Sequence, residues 1–231
     1  MTLSIPTVSP SQVTEPLPPL QNGDHLDQPT FHAVYEAMPE SFSAELIGGR
    51  VYVASPLKTK HGSIHARMMG WLFTYQAHTP RTEILDNATS ILGQDSEPQP
   101  DGCLYIEGGK ARVNDDGYLV GPPELAVEVA HSSVAYDLYE KKADYEKYGV
   151  VEYIVLILRE QRVVWFVRPP ADVTGHFIEM PAAPDGILRS IMFPGLWLDP
   201  AALLRGDSMR VIDVLQMGLA TPEHAAFATR P

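Results

Sequence analysis

The feature that most constrains the fold is the short apolar run Leu125 to Ala130, which carries one carboxylate, Glu128, near its middle. Because residues two apart in a strand share a face, Glu128 lies between Ala126 and Ala130, and the larger aliphatic residues take the other side. A carboxylate buried there needs a cation, a metal ion or a raised pKa. We therefore interpret Glu128 as a functional group on a buried strand. The alternative is an exposed charge on an edge strand.

Hydrophobic periodicity predicts the elements around this strand. Apolar residues recur at three- and four-residue steps from His61 until Pro80, which predicts an amphipathic helix. The adjacent glycines Gly48 and Gly49 predict a hairpin turn inside residues 45–53. Further strands are predicted over 83–85, 89–92, 103–106, 152–158, 162–168 and 187–193, and helices over 31–37, 136–148 and 199–219.

The helix over 136–148 falls between two predicted strands, at 125–130 and 152–158. We therefore predict an α/β domain with a mixed β-sheet flanked by helices and decorated with β-hairpins.

The charge distribution predicts where the domain begins. The chain has 17 Lys and Arg against 29 Asp and Glu, a net charge of −12, and residues 1–49 hold six of the acids and no Lys or Arg. Six of the 21 prolines also precede residue 30. We predict a flexible acidic arm over 1–28, a folded domain over 29–220 and a tail over 221–231. The acidity excludes a broad electrostatic nucleic-acid surface, which requires excess Lys and Arg.

The cellular setting follows from what the sequence lacks. The sequence has no basic region followed by an apolar region, the pattern typical of a signal peptide. No apolar stretch approaches the roughly 20 residues of a membrane span. We expect a cytoplasmic protein without a membrane partner. The lone Cys103 is interpreted as a small core residue, since a thiol nucleophile would need a neighbouring base.

The predicted helix after the Glu128 strand contains a lysine, Lys141, that could pair with Glu128. With Leu138, Tyr145 and Tyr148 as its buried stripe, Lys141 falls within about 30° of the stripe centre, whereas Lys142 lies about 70° away. Lys141 is therefore predicted to point toward the sheet. The alternative is a packed stem with its ammonium group in water.

A third charged residue, Asp101, lies in a Pro-Asp-Gly turn directly ahead of a predicted strand. Such a turn places the carboxylate over the end of the neighbouring strand, where it would join Glu128 and Lys141. Two carboxylates with a lysine favour a hard divalent cation such as Mg²⁺ or Mn²⁺, since Mg²⁺ is held by one or two carboxylates plus water and phosphate oxygens. The alternative is an ordinary turn Asp that serves the backbone.

These motifs resemble the bacterial Uma family of restriction endonucleases, within the PD-(D/E)XK nuclease superfamily. The resemblance runs over residues 30–226 and also includes 44–52, His61 at the start of the long helix, 136–138, 149–153 and 193–197. It implies that Asp101 and Glu128 bind the metal. The superfamily lysine would stand at Ala130, and in the Uma family it has moved to the next helix, which matches Lys141.

The resemblance also implies auxiliary roles for Glu45 and His61. Together with the residue pattern it predicts a Mg²⁺- or Mn²⁺-dependent endonuclease that hydrolyses DNA by in-line attack of water. The family and the hydrophobic C-terminal segment predict a homodimer; that segment contains Val211, Ile212, Leu215, Met217 and Leu219.

Other functions stay open from the sequence. The same fold could be a catalytically silent DNA-binding or protein-interaction module in which Glu128 and Lys141 form a structural ion pair. It could also hydrolyse a small anionic substrate with a metal ion. His61 and His65 are spaced to chelate zinc, but no third ligand accompanies them at a diagnostic spacing.

Overall fold

The computed structural model describes residues 18–54, 59–131, 134–169 and 175–230. The helices are α1 (Gln28–Glu36), α2 (Thr59–Ala77), α3 (Val134–Tyr136), α4 (Lys142–Tyr148), α5 (Pro200–Arg205), α6 (Ser208–Leu219) and α7 (Pro222–Ala228). The strands are β1 (Ala44–Ile47), β2 (Arg50–Val53), β3 (Thr82–Asp86), β4 (Ser90–Ile91), β5 (Gly102–Ile106), β6 (Arg112–Val113), β7 (Leu119–Val120), β8 (Leu125–Ala130), β9 (Glu152–Ile157), β10 (Arg162–Val167), β11 (Ile178–Glu179), β12 (Leu188–Arg189) and β13 (Trp197–Leu198).

A six-stranded mixed sheet forms the centre of the fold. Its strand order is β11-β10-β9-β8-β5-β3. Only the β8 and β9 pair is parallel, and the other neighbours are antiparallel. Parallel strands need a crossover connection, and here it runs through α3 and α4. The predicted mixed sheet flanked by helices is confirmed.

The two faces of β8 pack against different layers. Leu125, Val127 and Val129 belong to the larger core cluster, which includes buried apolar residues of α2, α5 and α6. Ala126 and Ala130 pack on the opposite face with residues such as Tyr145 of α4. Glu128 therefore faces α4 between two small side chains, as strand alternation predicts.

The hairpin β1–β2 carries Glu45 toward the sheet. Gly48 and Gly49 both have positive φ, 56° and 77°, as a two-residue hairpin turn of this kind requires. Glu45 pairs directly across the hairpin with Tyr52. The turn predicted from the glycine pair is present.

The arm predicted over 1–28 ends earlier than expected. Leu20 is buried in a cluster with Phe31 and Val51. The Gly23 N–H donates to the Val51 carbonyl at 2.8 Å, and the Leu26 N–H donates to the Gly49 carbonyl at 2.9 Å. Residues 20–27 are therefore part of the domain, because their backbone groups pair with the hairpin. Residues 1–17 lie outside the described residues, so the arm stays a prediction there.

The tail predicted over 221–231 is largely a helix. Thr221 caps α7 by accepting from the His224 N–H, and Pro222 stands in its first turn. Phe227 is buried edge-on against Phe193, with ring centroids 6.3 Å apart. The burial of Phe227 makes this helix part of the domain.

Two other sequence predictions need correction. The strand predicted over 187–193 is reduced to β12, because a turn brings Phe193 into the core. No strand is predicted from the sequence between residues 106 and 125, whereas the structure has β6 and β7 there, which form a small sheet with β4.

The C-terminal hydrophobic segment serves the chain's own core. Val211 and Leu215 are buried against α2 and β13, so they no longer support the predicted homodimer. The dimer stays a prediction. Among the described helices, none combines the length and hydropathy that a bilayer span requires.

Candidate active site

A lysine between two carboxylates forms the centre of the candidate site. Lys141 Nζ lies 2.9 Å from Glu128 Oε1 and 2.8 Å from Glu45 Oε1. Lys141 is 4% exposed, and the Tyr145 hydroxyl donates to the same Glu128 oxygen at 3.0 Å. The Gln99 N–H holds Glu45 Oε1 at 2.7 Å. The sequence-predicted residues Glu45, Glu128 and Lys141 thus meet in one buried cluster.

The helix segment that presents Lys141 is wider than the regular α-helix predicted over 136–148. Residues Asp137–Lys141 form a π-helical turn between α3 and α4. Both ends of this turn, Asp137 and Lys141, are buried. Such turns are rare and often mark functional sites. Lys142 instead lies over the Phe166 ring, 4.9 Å from its centroid.

Asp101 completes the edge of β8. The β5–β8 ladder covers only Leu125 to Val127, so the N–H groups beyond it need another partner. Asp101, just ahead of β5, accepts the Val129 N–H through Oδ2 at 2.7 Å. The structure therefore places this carboxylate over the strand that carries Glu128, beside Glu128 itself.

His61, at the start of α2, supports Asp101. Its Nε2 lies 3.3 Å from Asp101 Oδ2. The hydrogen bond that His61 donates to Asp101 is the main reason that the pKa of His61 is raised, although burial opposes it. Burial opposes ionisation of Asp101, but the bonds from His61 and Val129 outweigh burial and hold the pKa of Asp101 below its usual value.

The buried lysine and its partners have perturbed pKa values in consistent directions. Burial raises the pKa of Glu128 well above its usual range; Lys141 opposes this, and the negative charges of Asp101 and Glu45 add to it. Burial disfavours the Lys141 ammonium, but Glu128 and Glu45 more than compensate, so the pKa of Lys141 is raised. Lys141 is therefore a fixed cation in a cluster with an excess of carboxylates.

Two site residues were not chosen from the sequence. Asp137 is buried in the same π turn, and its charge acts on His61, Glu128 and Lys141. The Tyr136 hydroxyl donates to Glu45 Oε2 at 3.5 Å, and Lys141 Nζ lies 5.5 Å from the centroid of its ring. The only sequence signal for either residue was its place in the motif over 136–138.

The donor set fits a hard divalent cation held mainly by water and substrate. Within the described residues, no hydrogen bond reaches Glu128 Oε2 or Asp101 Oδ1, so each acid keeps one oxygen uncommitted. The described ranges contain no group of three or more His, Cys, Asp or Glu side chains arranged for a metal ion. Two carboxylates are a sufficient protein contribution for Mg²⁺.

His61 also leaves one buried nitrogen unsatisfied. Its Nδ1 has no hydrogen-bond partner in the part of the chain that the structure describes. A buried polar atom of this kind calls for a water or ligand. His65 is committed elsewhere, since its Nε2 lies 2.7 Å from the Asp101 carbonyl oxygen and 3.1 Å from Asp86 Oδ1.

Cys103 is a core residue on β5. It is 1% exposed, and burial raises the pKa of its thiol to about 12. A thiol that resists ionisation in this way is a poor nucleophile.

Asp144 on α4 links the helix to the hairpin and makes stability depend on pH. It accepts hydrogen bonds from the Ser96 hydroxyl and, at 3.3 Å, from the Gly48 N–H. Burial nevertheless raises the pKa of Asp144 from 3.8 to about 6. The folded protein therefore binds this proton more tightly than the unfolded chain does.

We expect this group to lower the free energy of unfolding as the pH rises from about 4 to about 6. A rise of about 2 pKa units corresponds to at most about 3 kcal/mol, and the loss is complete above pH 6. In urea denaturation across this range, the wild type should lose stability relative to Asp144→Asn. Exposed Asp213 supplies the control, Asp213→Asn, which should follow the wild type. A stability difference between wild type and Asp144→Asn that stays constant over this range would contradict the assignment.

Comparison with known proteins identifies the fold and the family of the chain. A solved structure described as a "putative nuclease belonging to DUF820" from Anabaena variabilis superposes with a TM-score of 0.56 at 16% sequence identity. The match covers 74% of this chain and 97% of that one, and it shows a shared fold. No curated protein matches. The model of the Uma2 family, described as "Putative restriction endonuclease", matches residues 29–201, and the chain therefore belongs to the Uma2 family.

Proposed function

We propose that the protein is a divalent-metal-dependent endonuclease that hydrolyses DNA phosphodiester bonds by in-line attack of a metal-activated water. The proposal is supported by one observation above the others: Lys141 is buried against Glu128 and Glu45, while Asp101 binds the backbone beside Glu128. Membership of a family described as restriction endonucleases supports a nuclease. The cation would be Mg²⁺ or Mn²⁺.

Asp101 and Glu128 would hold the cation through their uncommitted oxygens, Oδ1 and Oε2. Bound there, it supplies Lewis acidity, which polarises the phosphate and lowers the pKa of a water. His61 and the Val129 N–H hold Asp101 in place through its other oxygen. A cation also offsets the excess of carboxylates, since Glu45, Asp101, Glu128 and Asp137 face one lysine.

Lys141 acts as a donor rather than as a base. Burial disfavours its ammonium, but the two carboxylates at 2.8 and 2.9 Å raise the pKa of Lys141 and so favour the protonated, donating form. Its two carboxylate partners fix its direction. It would orient the attacking water and stabilise the negative charge that develops on the phosphate.

The role of Asp101 is tested by metal binding and cleavage together. We expect Asp101→Asn to weaken Mn²⁺ binding, measured by titration calorimetry, by at least about tenfold, because a neutral amide is a weaker ligand than a carboxylate. Cleavage of single-stranded and duplex DNA with Mg²⁺ should fall with it. The amide oxygen still accepts the Val129 N–H, so the variant should fold. Asp213→Asn is the matched control and should keep both properties.

One specific observation favours a second candidate, a catalytically silent nucleic-acid or protein-binding module. The buried contacts of Lys141 with two carboxylates are also those of a structural ion pair. If wild-type protein bound no Mn²⁺ and cut no DNA, while Glu128→Ala failed to fold, the module would replace the endonuclease.

A further inference from the structure

A cavity of about 350 Å³ opens beside the candidate active site, between the β1–β2 hairpin and α4. The residues that give it chemical character are His25, Arg50, Tyr52, Glu140, Asp144 and Lys147. None of these residues was assigned a catalytic or metal-binding role above. Pockets that bind small ligands have volumes of about 300 Å³ or more, so this cavity is large enough for one nucleotide unit.

Tyr52 joins the cavity to the active site. It is the cross-strand partner of Glu45, which holds Lys141. Its ring packs against the Tyr136 ring at an interplanar angle of 37°, with centroids 4.2 Å apart, and the Lys141 ammonium lies over that second ring. Arg50 stands two residues before Tyr52 on the same face of β2, roughly 7 Å along the strand. A polymer that reaches the active site can therefore continue into the cavity.

Arg50 is the uncommitted cation of this cavity. Its side chain is exposed and forms no ion pair with any described residue, whereas Lys147 is neutralised by Asp95 at 2.7 Å. The Arg50 guanidinium carbon lies 5.8 Å from the centroid of the Tyr52 ring. A guanidinium binds phosphate with two parallel hydrogen bonds, and an aromatic wall packs against a base.

The two acidic residues of the cavity do not prevent Arg50 from binding a phosphate. Asp144 is occupied by the Ser96 hydroxyl and the Gly48 N–H. Glu140 is exposed in the π-helical turn, where its carboxylate can accept hydrogen bonds from the amino groups of a base. The chain carries a net charge of −12, so it lacks the excess of basic residues that holds duplex DNA along both strands.

We propose that this cavity binds one unpaired nucleotide of the substrate strand next to the scissile phosphate, with Arg50 on its phosphate and Tyr52 against its base or sugar. The substrate class is then single-stranded DNA or an unpaired strand end. This inference rests on the proposed nuclease function for the identity of the polymer.

The test measures binding without cleavage. A short fluorescein-labelled oligo(dT) is titrated with the full chain in EDTA by fluorescence anisotropy, alone and annealed to oligo(dA). We expect tighter binding of the single strand, and a loss on the order of tenfold in Arg50→Ala, since a charge-assisted contact contributes about that much. The slope of log Kd against log salt concentration should also fall by about one, which corresponds to the loss of one phosphate contact. A purely structural arginine would not change that slope.

Two variants keep the result interpretable. Arg205→Ala removes an exposed arginine from α5, on the other face of the sheet, and should bind as the wild type does. Arg50→Lys should retain the salt slope with weaker binding, because lysine keeps the charge without the planar fork. Unchanged binding in Arg50→Ala, or tighter binding of the duplex, would overturn the proposal. Arg50-dependent binding by a protein that cuts nothing would instead refute the endonuclease and leave the nucleotide site standing.

Discussion

Replacing Lys141 with methionine is expected to lower DNA cleavage by about 10²- to 10³-fold per folded molecule. The side chain keeps its length but loses the ammonium that lies between Glu45 and Glu128. Removing one preorganised donor from a transition-state site typically costs that much. Initial rates of cleavage with Mg²⁺, corrected for the folded fraction, measure the effect.

The same substitution should lower the free energy of unfolding by about 3 kcal/mol near neutral pH, because it leaves buried carboxylates without their cation. The loss should shrink as the pH falls, since protonated carboxylates need no counter-charge. Urea denaturation at neutral and acidic pH measures both effects. Divalent metal should recover part of the stability if it binds the same carboxylates.

Lys142→Met is the matched control for this prediction. The two lysines are adjacent, but Lys142 lies over Phe166 and outside the carboxylate cluster. Its replacement should cost about 0.5–1 kcal/mol of cation–π energy and leave cleavage unchanged. Equal losses of cleavage in both variants would mean that Lys141 is not part of the active site.

The residues of this site show how far local sequence rules reach. Strand alternation placed Glu128 on the sheet face that packs against α4, and the Pro-Asp-Gly turn placed Asp101 over the end of the same strand. Helical periodicity identified Lys141 as inward-facing, even though its turn is π-helical. These predictions succeeded because the direction of each side chain follows from the strand, turn or helix that carries it.

Other features depend on contacts between distant parts of the chain and could not be predicted in this way. His61 meets Asp101 across 40 positions, and Phe227 packs on Phe193 only because α7 folds back. Residues 20–27 join the domain through backbone bonds to the hairpin. Composition assigned them to the acidic, proline-rich segment 1–28. Composition carries no information about backbone hydrogen bonds between distant residues.

Glu152 is a further residue of this kind, and we expect its replacement by alanine to give the largest loss of stability. It is fully buried at the start of β9. Its carboxylate accepts from the N–H groups of Ile191 and Met192 at 2.7 and 2.8 Å, from the Ser190 hydroxyl at 2.9 Å and from the Trp165 indole at 3.1 Å. The buried Trp165 indole and the part-buried donors at 190–192 would all lose their partner.

A buried donor without a partner costs about 1–3 kcal/mol, so we expect Glu152→Ala to lower the free energy of unfolding by about 4 kcal/mol after partial relaxation and hydration. For a chain of this size the melting temperature should fall by roughly 10 °C. Glu152→Gln should recover only part of the loss, because its amide group presents donors to donors. The exposed Glu160→Ala is the control and should change the melting temperature little.

Cleavage separates this prediction from the one for Lys141. Glu152 pairs with Leu125 at the start of β8, whereas Glu128 pairs with Val155 farther along the same two strands. A substitution at Glu152 therefore disturbs the loop at 190–193 without touching the carboxylate cluster, and activity per folded molecule should be retained at low temperature. A loss of cleavage in fully folded Glu152→Gln would show that the loop and the active site are coupled through β9, and it would refute the purely structural role assigned to Glu152.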